Sequence, residues 1–300
     1  MRIQPLLQTN MLTPTPKERL TAHPAVVLLL FIPVLLLTRL GRQLMAKAAL
    51  SLLPSPVTSA VYLTVSLFAT LATVAVVLLY CLLAERRSLL SLGFTRRGAL
   101  GEYAAGILGG LVLFGLPVLL CMVTGTLTLT VANSSPAALP LLLCLVGFII
   151  QGASEELLCR SYLMVSLSRS LPPWICATVN ALLFSLLHVE NPGVTVIALV
   201  NIFLFGIFAS LLTLRRGSVW MVCALHTLWN FAQGNLFGIP VSGLGGLPSP
   251  LRAEVADGKW QTLINGGAFG LEGGLAVTVV LAVACGVVLM MKTKQSEIVK

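Results

Sequence analysis

The sequence predicts an all-α fold: a polytopic membrane protein of about eight transmembrane helices around a buried polar site. Three observations predict it. The 300-residue chain is 57% hydrophobic and only 10% charged, with a mean hydropathy of +0.97, whereas soluble domains are about 25% charged. Its apolar residues fall in runs long enough for spanning helices, which need about 20 of them. Several acids, histidines and asparagines stand inside those runs rather than between them.

Eight apolar segments are candidates for the spanning helices. They are 24–40, 57–84, 103–128, 136–157, 173–189, 194–214, 218–238 and 271–291. The fourth is expected to run past its apolar end, to about Ser168. The longest connection, 239–270, is rich in Gly and Pro and is expected to be a loop or a re-entrant segment. The stretch 44–54 is a candidate for a segment lying along the membrane interface.

The basic residues predict orientation rather than nucleic-acid binding, because they lie between the apolar runs although the net charge is +9. With eight spans, both termini share one side of the membrane, and thirteen Lys and Arg fall on that side against five on the other. The thirteen are Arg2, Lys17, Arg19, Arg86, Arg87, Arg96, Arg97, Arg169, Arg215, Arg216, Lys292, Lys294 and Lys300, and the five are Arg39, Arg42, Lys47, Arg252 and Lys259. The chain is therefore expected to be a multi-pass protein of the cell membrane with both termini cytoplasmic.

The stretch "ASEELLCR" places two acids and an arginine at the end of an apolar run. Glu156 and Arg160 are four residues apart with the acid first, the better order for a helical ion pair. Glu155 is rotated about 100° from Glu156 and instead shares a face with Gln151 and Cys159. An unpaired carboxylate inside a membrane is a functional candidate by default. The alternative is a buried network that only fixes packing.

Two histidines and an asparagine accompany that glutamate. His188 ends "FSLLH", and "HTLWN" places His226 and Asn230 on one helical face, four residues apart. The turn signal "RSLPPW", centred near Leu171, lies midway between Glu155 and His188, so an αα-hairpin would put both roughly 24 Å from the turn. His226 and Asn230 follow Arg216 by 10 and 14 residues, which places them roughly 15–21 Å from the membrane side on which that turn lies. The four side chains are therefore expected to converge.

Such a cluster suits hydrolysis of an amide without a covalent intermediate. A glutamate and a neutral histidine that face one water can remove its proton, and general-base help of this kind contributes about 10²–10⁴-fold. A second histidine and an asparagine amide can donate hydrogen bonds to the developing oxyanion, worth about 2.7–4 kcal/mol per donor in a known case. The expected reaction needs no cofactor.

Other interpretations remain open at this stage. Glu155, His188 and His226 would also make a catalytic zinc site, although "HExxH" is absent and Asn is a poor zinc ligand. Cys159, one turn from the glutamate, is a possible nucleophile. A non-catalytic immunity or scaffold protein would need none of this chemistry, and a proton-coupled transporter would use intramembrane acids and histidines as relays.

The three motifs together resemble a known family. "EELLCR" is similar to EExxxR, "FSLLH" to FxxxH and "HTLWN" to HxxxN, in that order over residues 136–238. This is the pattern of the CPBP family, which comprises type II CAAX prenyl-proteases, bacteriocin-processing proteins and abortive-infection (Abi) membrane proteins. Cys159 and Ser161 stand where many members have Phe and Gly, a departure that bears more on packing than on chemistry.

The resemblance implies a glutamate-dependent intramembrane endopeptidase. In such an enzyme, Glu155 and His188 would activate water. His226 and Asn230 would form the oxyanion pocket. Glu156 and Arg160 would support these four residues. The family has also been regarded as metalloproteases, so zinc remains an alternative to a metal-free site.

The resemblance also divides the chain and suggests its partners. Residues 1–135 would hold helices 1–3, 136–238 the catalytic core of helices 4–7, and 239–300 the Gly-rich loop and the last helix. The expected substrate is a membrane-associated or lipid-anchored protein or peptide within the bilayer, with no nucleic acid. The charge count places the cluster near an outer loop at 189–193, whereas the prenyl-protease analogy favours a cytosolic site.

Overall fold

The computed structural model describes residues 23–132 and 136–291, which form a bundle of helices. The helices are α1 (Pro24–Ser51), α2 (Ser59–Ala69), α3 (Leu71–Leu79), α4 (Ala99–Val123), α5 (Ala138–Glu156), α6 (Val165–Leu167), α7 (Pro173–Leu186), α8 (Val196–Arg216), α9 (Trp220–Phe231), α10 (Lys259–Asn265) and α11 (Leu275–Met290). Three π-helical segments extend α3, α5 and α9: Tyr80–Ala84, Leu157–Met164 and Ala232–Leu236. Two strands, β1 (Leu127–Val131) and β2 (Leu251–Val255), and two 3₁₀ helices, Gly267–Phe269 and Leu271–Gly273, complete the regular structure of the described residues.

The helical membrane-protein class is confirmed, but the count of eight spans is not. Within the described residues, five helical stretches are long and apolar enough to cross a membrane: Pro24–Ser51, Ser59–Ala84, Ala99–Val123, Ala138–Leu167 and Val196–Arg216. Two further apolar helices, α7 and α11, are shorter. Each predicted apolar segment coincides with a helix, so the difference concerns helix length rather than the placement of helices.

One local prediction differs from the structure and another is not tested by it. Residues 44–51 continue α1 to Ser51, and their location along the membrane interface stays a prediction. The connection 239–270 is not only loop: its strand β2 pairs antiparallel with β1, from Leu127 opposite Val255 to Val131 opposite Leu251. The β-branched residues of "LTLTV" suit a strand, and Gly125, at φ +66°, allows the chain to turn out of α4 just before it.

The fourth span runs past its apolar end, through the π-helical segment Leu157–Met164 to Leu167, close to the expected Ser168. A π-helical segment disturbs the regular pairing of backbone carbonyls. Here the guanidinium of Arg87 donates to the Ser161 carbonyl (2.8 Å), and the Ser161 hydroxyl donates to the Leu92 carbonyl (2.7 Å). The loop after α3 therefore holds the π-helical segment directly behind the two glutamates.

The connections gather at two opposite ends of the bundle. At one end, the Val219 amide donates to the Gly93 carbonyl (3.1 Å) and Trp220 Nε1 to the Thr95 carbonyl (2.8 Å). At the other end lie the two-stranded sheet and a bond from Asn191 Nδ2 to the Ser242 carbonyl (3.0 Å). The termini, with Arg2, Lys17, Arg19, Lys292, Lys294 and Lys300, lie outside the described residues. Their cytoplasmic placement therefore stays a prediction.

Glycines let two pairs of helices approach closely. A Cβ added at Gly110 of α4 would lie 2.5 Å from the Leu225 carbonyl oxygen and 2.8 Å from Leu228 Cβ on α9. A Cβ at Gly206 of α8 would lie 2.8 Å from the Cα of Ala181 on α7. Small residues at helix interfaces are the usual basis of packing in membranes. The position of α9, which carries the "HTLWN" motif, therefore depends on its contact with α4.

We expect Gly110→Ala to destabilise the folded protein by about 1–3 kcal/mol, because the new methyl group overpacks the α4–α9 contact. The matched control is Gly115→Ala on the same helix, where no atom lies within 4 Å of the added Cβ. That control should be neutral or slightly stabilising, since Ala favours helix over Gly. Thermal unfolding of the purified variants in detergent, followed by tryptophan fluorescence, checks this. Equal midpoints for the two variants would contradict it.

Candidate active site

The four side chains expected to converge line one cavity of about 250 Å³. Glu155 comes from α5, His188 from the turn that follows α7, and His226 and Asn230 from α9. The cavity lies toward the bundle end that carries the Asn191–Ser242 contact, and it is mostly apolar elsewhere. A concave, mostly apolar site with a few convergent polar groups is the common form of a ligand or substrate site.

Glu155 presents one carboxylate oxygen to this cavity. Its Oε1 accepts a hydrogen bond of 2.7 Å from Gln151 Nε2, one turn earlier on α5. Its Oε2 is buried and has no hydrogen-bond partner among the described residues, although the side chain as a whole is 27% exposed. A buried carboxylate oxygen without a donor is costly unless a ligand or reactant satisfies it. Oε2 is therefore the oxygen positioned to take a proton.

His188 is held in one tautomer by the backbone. Its Nδ1 lies 2.8 Å from the Phe184 carbonyl oxygen, which only accepts, so Nδ1 carries the proton and donates. In the neutral ring, Nε2 then has a free lone pair. The ring also packs edge-on against the Phe184 ring, with centroids 4.9 Å apart. These two contacts fix the ring at the cavity wall with an acceptor nitrogen available.

His226 lies between the two glutamates. Its Nδ1 lies 2.8 Å from Glu156 Oε1, and its Nε2 lies 3.7 Å from Glu155 Oε2. The first distance is a hydrogen bond to a carboxylate, whereas the second is too long for one. The imidazole is buried and packs edge-on against Phe184 and Phe205. Glu156 therefore orients the ring, and Nε2 faces the cavity beside Glu155.

The expected ion pair of Glu156 and Arg160 is present and fully buried behind the cavity wall. Arg160 Nη1 lies 3.2 Å from Glu156 Oε1. Its Nη2 donates to the Gly206 carbonyl (3.3 Å), and its guanidinium lies 4.5 Å from the centre of the Phe184 ring. The Glu156 carboxylate is therefore shared between Arg160 and His226, a second role that the spacing in "EELLCR" did not indicate.

Gln151 links the two halves of the site. Its Nε2 donates to Glu155, and its Oε1 accepts a hydrogen bond of 3.0 Å from Asn230 Nδ2. The sequence placed Gln151 on the same face as Glu155 but gave no reason to join it to Asn230. The amide thereby fixes the distance between the glutamate and the "HTLWN" helix.

Glu272 is a second carboxylate at the cavity that sequence reasoning missed. It accepts hydrogen bonds from the Ser242 amide (2.7 Å), from the Ser242 hydroxyl (2.8 Å) and from Trp229 Nε1 (3.2 Å). It therefore holds the loop after α9 against that helix, beside Asn230. The available signal was a single acid within the glycine-rich "FGLEGG".

The alternative roles for these side chains have weaker geometric support. Within residues 23–132 and 136–291, no three His, Cys, Asp or Glu side chains are grouped so as to hold a metal ion. Cys159 borders the cavity, but only 1% of its surface is exposed.

Comparison with known proteins agrees with the motifs. The family model described as type II CAAX prenyl endopeptidase, Rce1-like, matches residues 137–232. The resemblance to the CPBP and CAAX-protease family is thereby confirmed. The matched segment spans α5 to α9 and contains all four cavity residues of the motifs. No curated protein matches the chain. The CAAX-type segment is thus a protease-like core within a helical membrane protein, and Glu272 and α1 lie outside it.

We expect Arg160→Ala to destabilise the protein by about 3–5 kcal/mol, because it leaves the buried Glu156 carboxylate without its cationic partner. The matched control is Arg252→Ala on β2, whose partner Glu254 is 3.7 Å away and whose side chain is 69% exposed. Such exposed pairs contribute about 0–1 kcal/mol. Thermal unfolding in detergent measures both variants. A control shift as large as that of Arg160→Ala would refute the assignment.

Proposed function

We propose that the chain is an intramembrane endopeptidase that hydrolyses a peptide bond of a membrane-associated or lipid-anchored protein with a water activated by Glu155 and His188. The observation that carries the proposal is the buried Oε2 of Glu155, which has no hydrogen-bond partner among the described residues and lies in the same cavity as His188. The family match over 137–232 supports peptidase chemistry of the CAAX type in general.

In the proposed reaction, a water molecule donates one hydrogen bond to Glu155 Oε2 and one to His188 Nε2. Its oxygen attacks the carbonyl carbon of the scissile amide, and its proton passes to Glu155. The carbonyl double bond opens to an oxyanion. The tetrahedral species then collapses, the C–N bond breaks, and the proton on Glu155 passes to the leaving amine. The products are a carboxylic acid and an amine, so atoms and charge balance without a covalent enzyme intermediate.

The oxyanion would be stabilised by His226 and Asn230. Because His226 donates Nδ1–H to Glu156, its Nε2 donates a second hydrogen bond only when the ring carries both protons. The carboxylates of Glu155 and Glu156 stabilise that positive charge. Together with Arg160, the four groups then carry no net charge, which limits the cost of placing them in an apolar interior. Asn230 Nδ2 has a second hydrogen besides the one given to Gln151.

We expect Glu155→Gln to lower cleavage by at least about 10²-fold, since an amide cannot accept the water's proton. The protein should still insert, because Gln also accepts the bond from Gln151. The measurement compares new peptide termini in the membrane proteome of cells that express either form. The matched control, Glu254→Gln, removes an exposed carboxylate far from the cavity and should leave the termini unchanged. Undiminished processing by Glu155→Gln would exclude the mechanism, whereas termini identical to those of cells without the chain would favour a non-catalytic membrane protein.

The metal-dependent alternative differs in its response to chelation. We expect the processing activity of purified protein to survive exhaustive treatment with a strong zinc chelator, because in the proposed reaction Glu155 and His188 activate the water without an ion. Adding zinc back should also have no effect. The treated sample should unfold at the same temperature as the untreated one. Loss of activity on chelation, restored by zinc alone, would overturn the proposed role of Glu155 as a general base.

A further inference from the structure

One wall of the cavity is formed by α1, which lies outside the segment that matches the protease family. Four of its residues line the cavity: Leu35, Thr38, Arg39 and Arg42. Their spacing of three, four and seven residues places them on a single helical face. That face is apolar toward its start and carries two arginines one turn later. The cavity that contains Glu155 therefore has a basic side as well as its hydrolytic one.

The two arginines differ in their surroundings. Arg39 Nη1 lies 3.8 Å from Glu190 Oε2, so its charge already has an anionic partner at the surface. Arg42 is exposed, and in the described part of the chain it makes no hydrogen bond or ion pair. It lines the same cavity as Glu155. Arg42 is thus a cation that faces the reaction site with its hydrogen-bond donors unused.

The apolar walls of the cavity restrict what can lie beside Arg42 in it. Leu63 and Leu67 of α2 and Leu244 and Leu247 of the loop after α9 line the same cavity. A ligand seated between them buries apolar side chains, and any anionic group on it needs a cation close by. The guanidinium offers a planar set of donors that matches a carboxylate in two-point contact.

We propose that Arg42 binds a carboxylate of the polypeptide substrate and so selects apolar segments that carry a negative charge close to the scissile bond. This deepens the proposed peptidase function and rests on it. The electrostatic reason is that Glu155 repels a second carboxylate in the same cavity. Arg42 lines the same cavity, and its positive charge reduces the repulsion that an anionic substrate meets there. The carboxylate comes from the substrate's chain terminus or from an Asp or Glu side chain.

The test measures binding separately from hydrolysis. The full chain with Glu155→Gln is placed in phosphatidylcholine nanodiscs, and empty nanodiscs give the background. The probes are short fluorescent peptides of leucine, valine and alanine with either a free C-terminal carboxylate or a C-terminal amide. A third probe is the amide with one aspartate. We expect the acid to bind about tenfold more tightly than the plain amide by fluorescence anisotropy, a difference of about 1.4 kcal/mol.

Variants assign the difference to Arg42. Arg42→Gln should remove the preference for the acid while leaving the affinity for the amide unchanged, and Arg42→Lys should retain part of it. Lys47→Gln is the matched control, because it removes the same charge from the same helix at an exposed position that does not line the cavity. It should keep the full preference. If the aspartate probe binds like the acid, Arg42 recognises any carboxylate. If it binds like the amide, Arg42 recognises the carboxylate of the chain terminus.

Several outcomes would overturn the proposal. Equal affinities for acid and amide would do so, as would a preference that survives Arg42→Gln. An effect of Arg42→Gln on nanodiscs of anionic phosphatidylglycerol, with none on the peptides, would make a lipid headgroup the ligand instead. Failure of the peptidase function gives a different result: the acid preference remains although the unmutated chain cleaves no probe. If the unmutated chain cleaves the probes but shows no preference for the acid, the role of Arg42 is refuted and the peptidase function is not.

Discussion

The carboxylate of Glu156 joins α5 to α9 inside the bundle, and the rest of the site depends on that contact. One of its oxygens lies 3.2 Å from Arg160 and 2.8 Å from His226. Removing one member of such a buried group leaves an uncompensated charge in an apolar interior, which is strongly destabilising. Because the shared oxygen fixes the imidazole ring, Nε2 of His226 faces Glu155. Glu156, which lies behind the cavity wall, thus sets the orientation of His226 toward Glu155.

Small residues make that contact possible. A Cβ at Gly152 would lie 3.0 Å from Thr227 Oγ1, so α5 and α9 approach closely one turn before the glutamates. Gly206 does the same for α7 and α8, and its carbonyl also accepts a hydrogen bond from Arg160. The same residue, Gly206, therefore takes part in both the close packing of the helices and the buried polar network. Without a strong hydrophobic force between helices in lipid, these two contributions hold the bundle together.

Helical periodicity explains which parts of the site were predictable from the sequence. It fixes which side chains share a face, so it separated Glu155 from Glu156 and placed His226 with Asn230. The π-helical segment after Glu156 was not predicted, because no residue pattern in "LLCRSYLM" marks it. The hydrogen bond between Gln151 and Asn230 was not predicted either, and neither were the hydrogen bonds by which Glu272 holds Ser242 and Trp229. These join residues far apart in the chain and depend on rotamers and loop paths rather than on spacing.

The residues that line the cavity come from two different parts of the chain. The segment 137–232 that matches the protease family contributes the glutamates, the histidines and Asn230. That segment also supplies apolar walls, and further walls come from outside it, from α1, α2, α11 and the loop held by Glu272. A family match limited to the first part therefore bears on the bond that is broken and not on the ligand that is accepted. In the proposed peptidase, hydrolysis needs only the small polar cluster, which leaves the flanking helices free to set the charge and shape of the substrate.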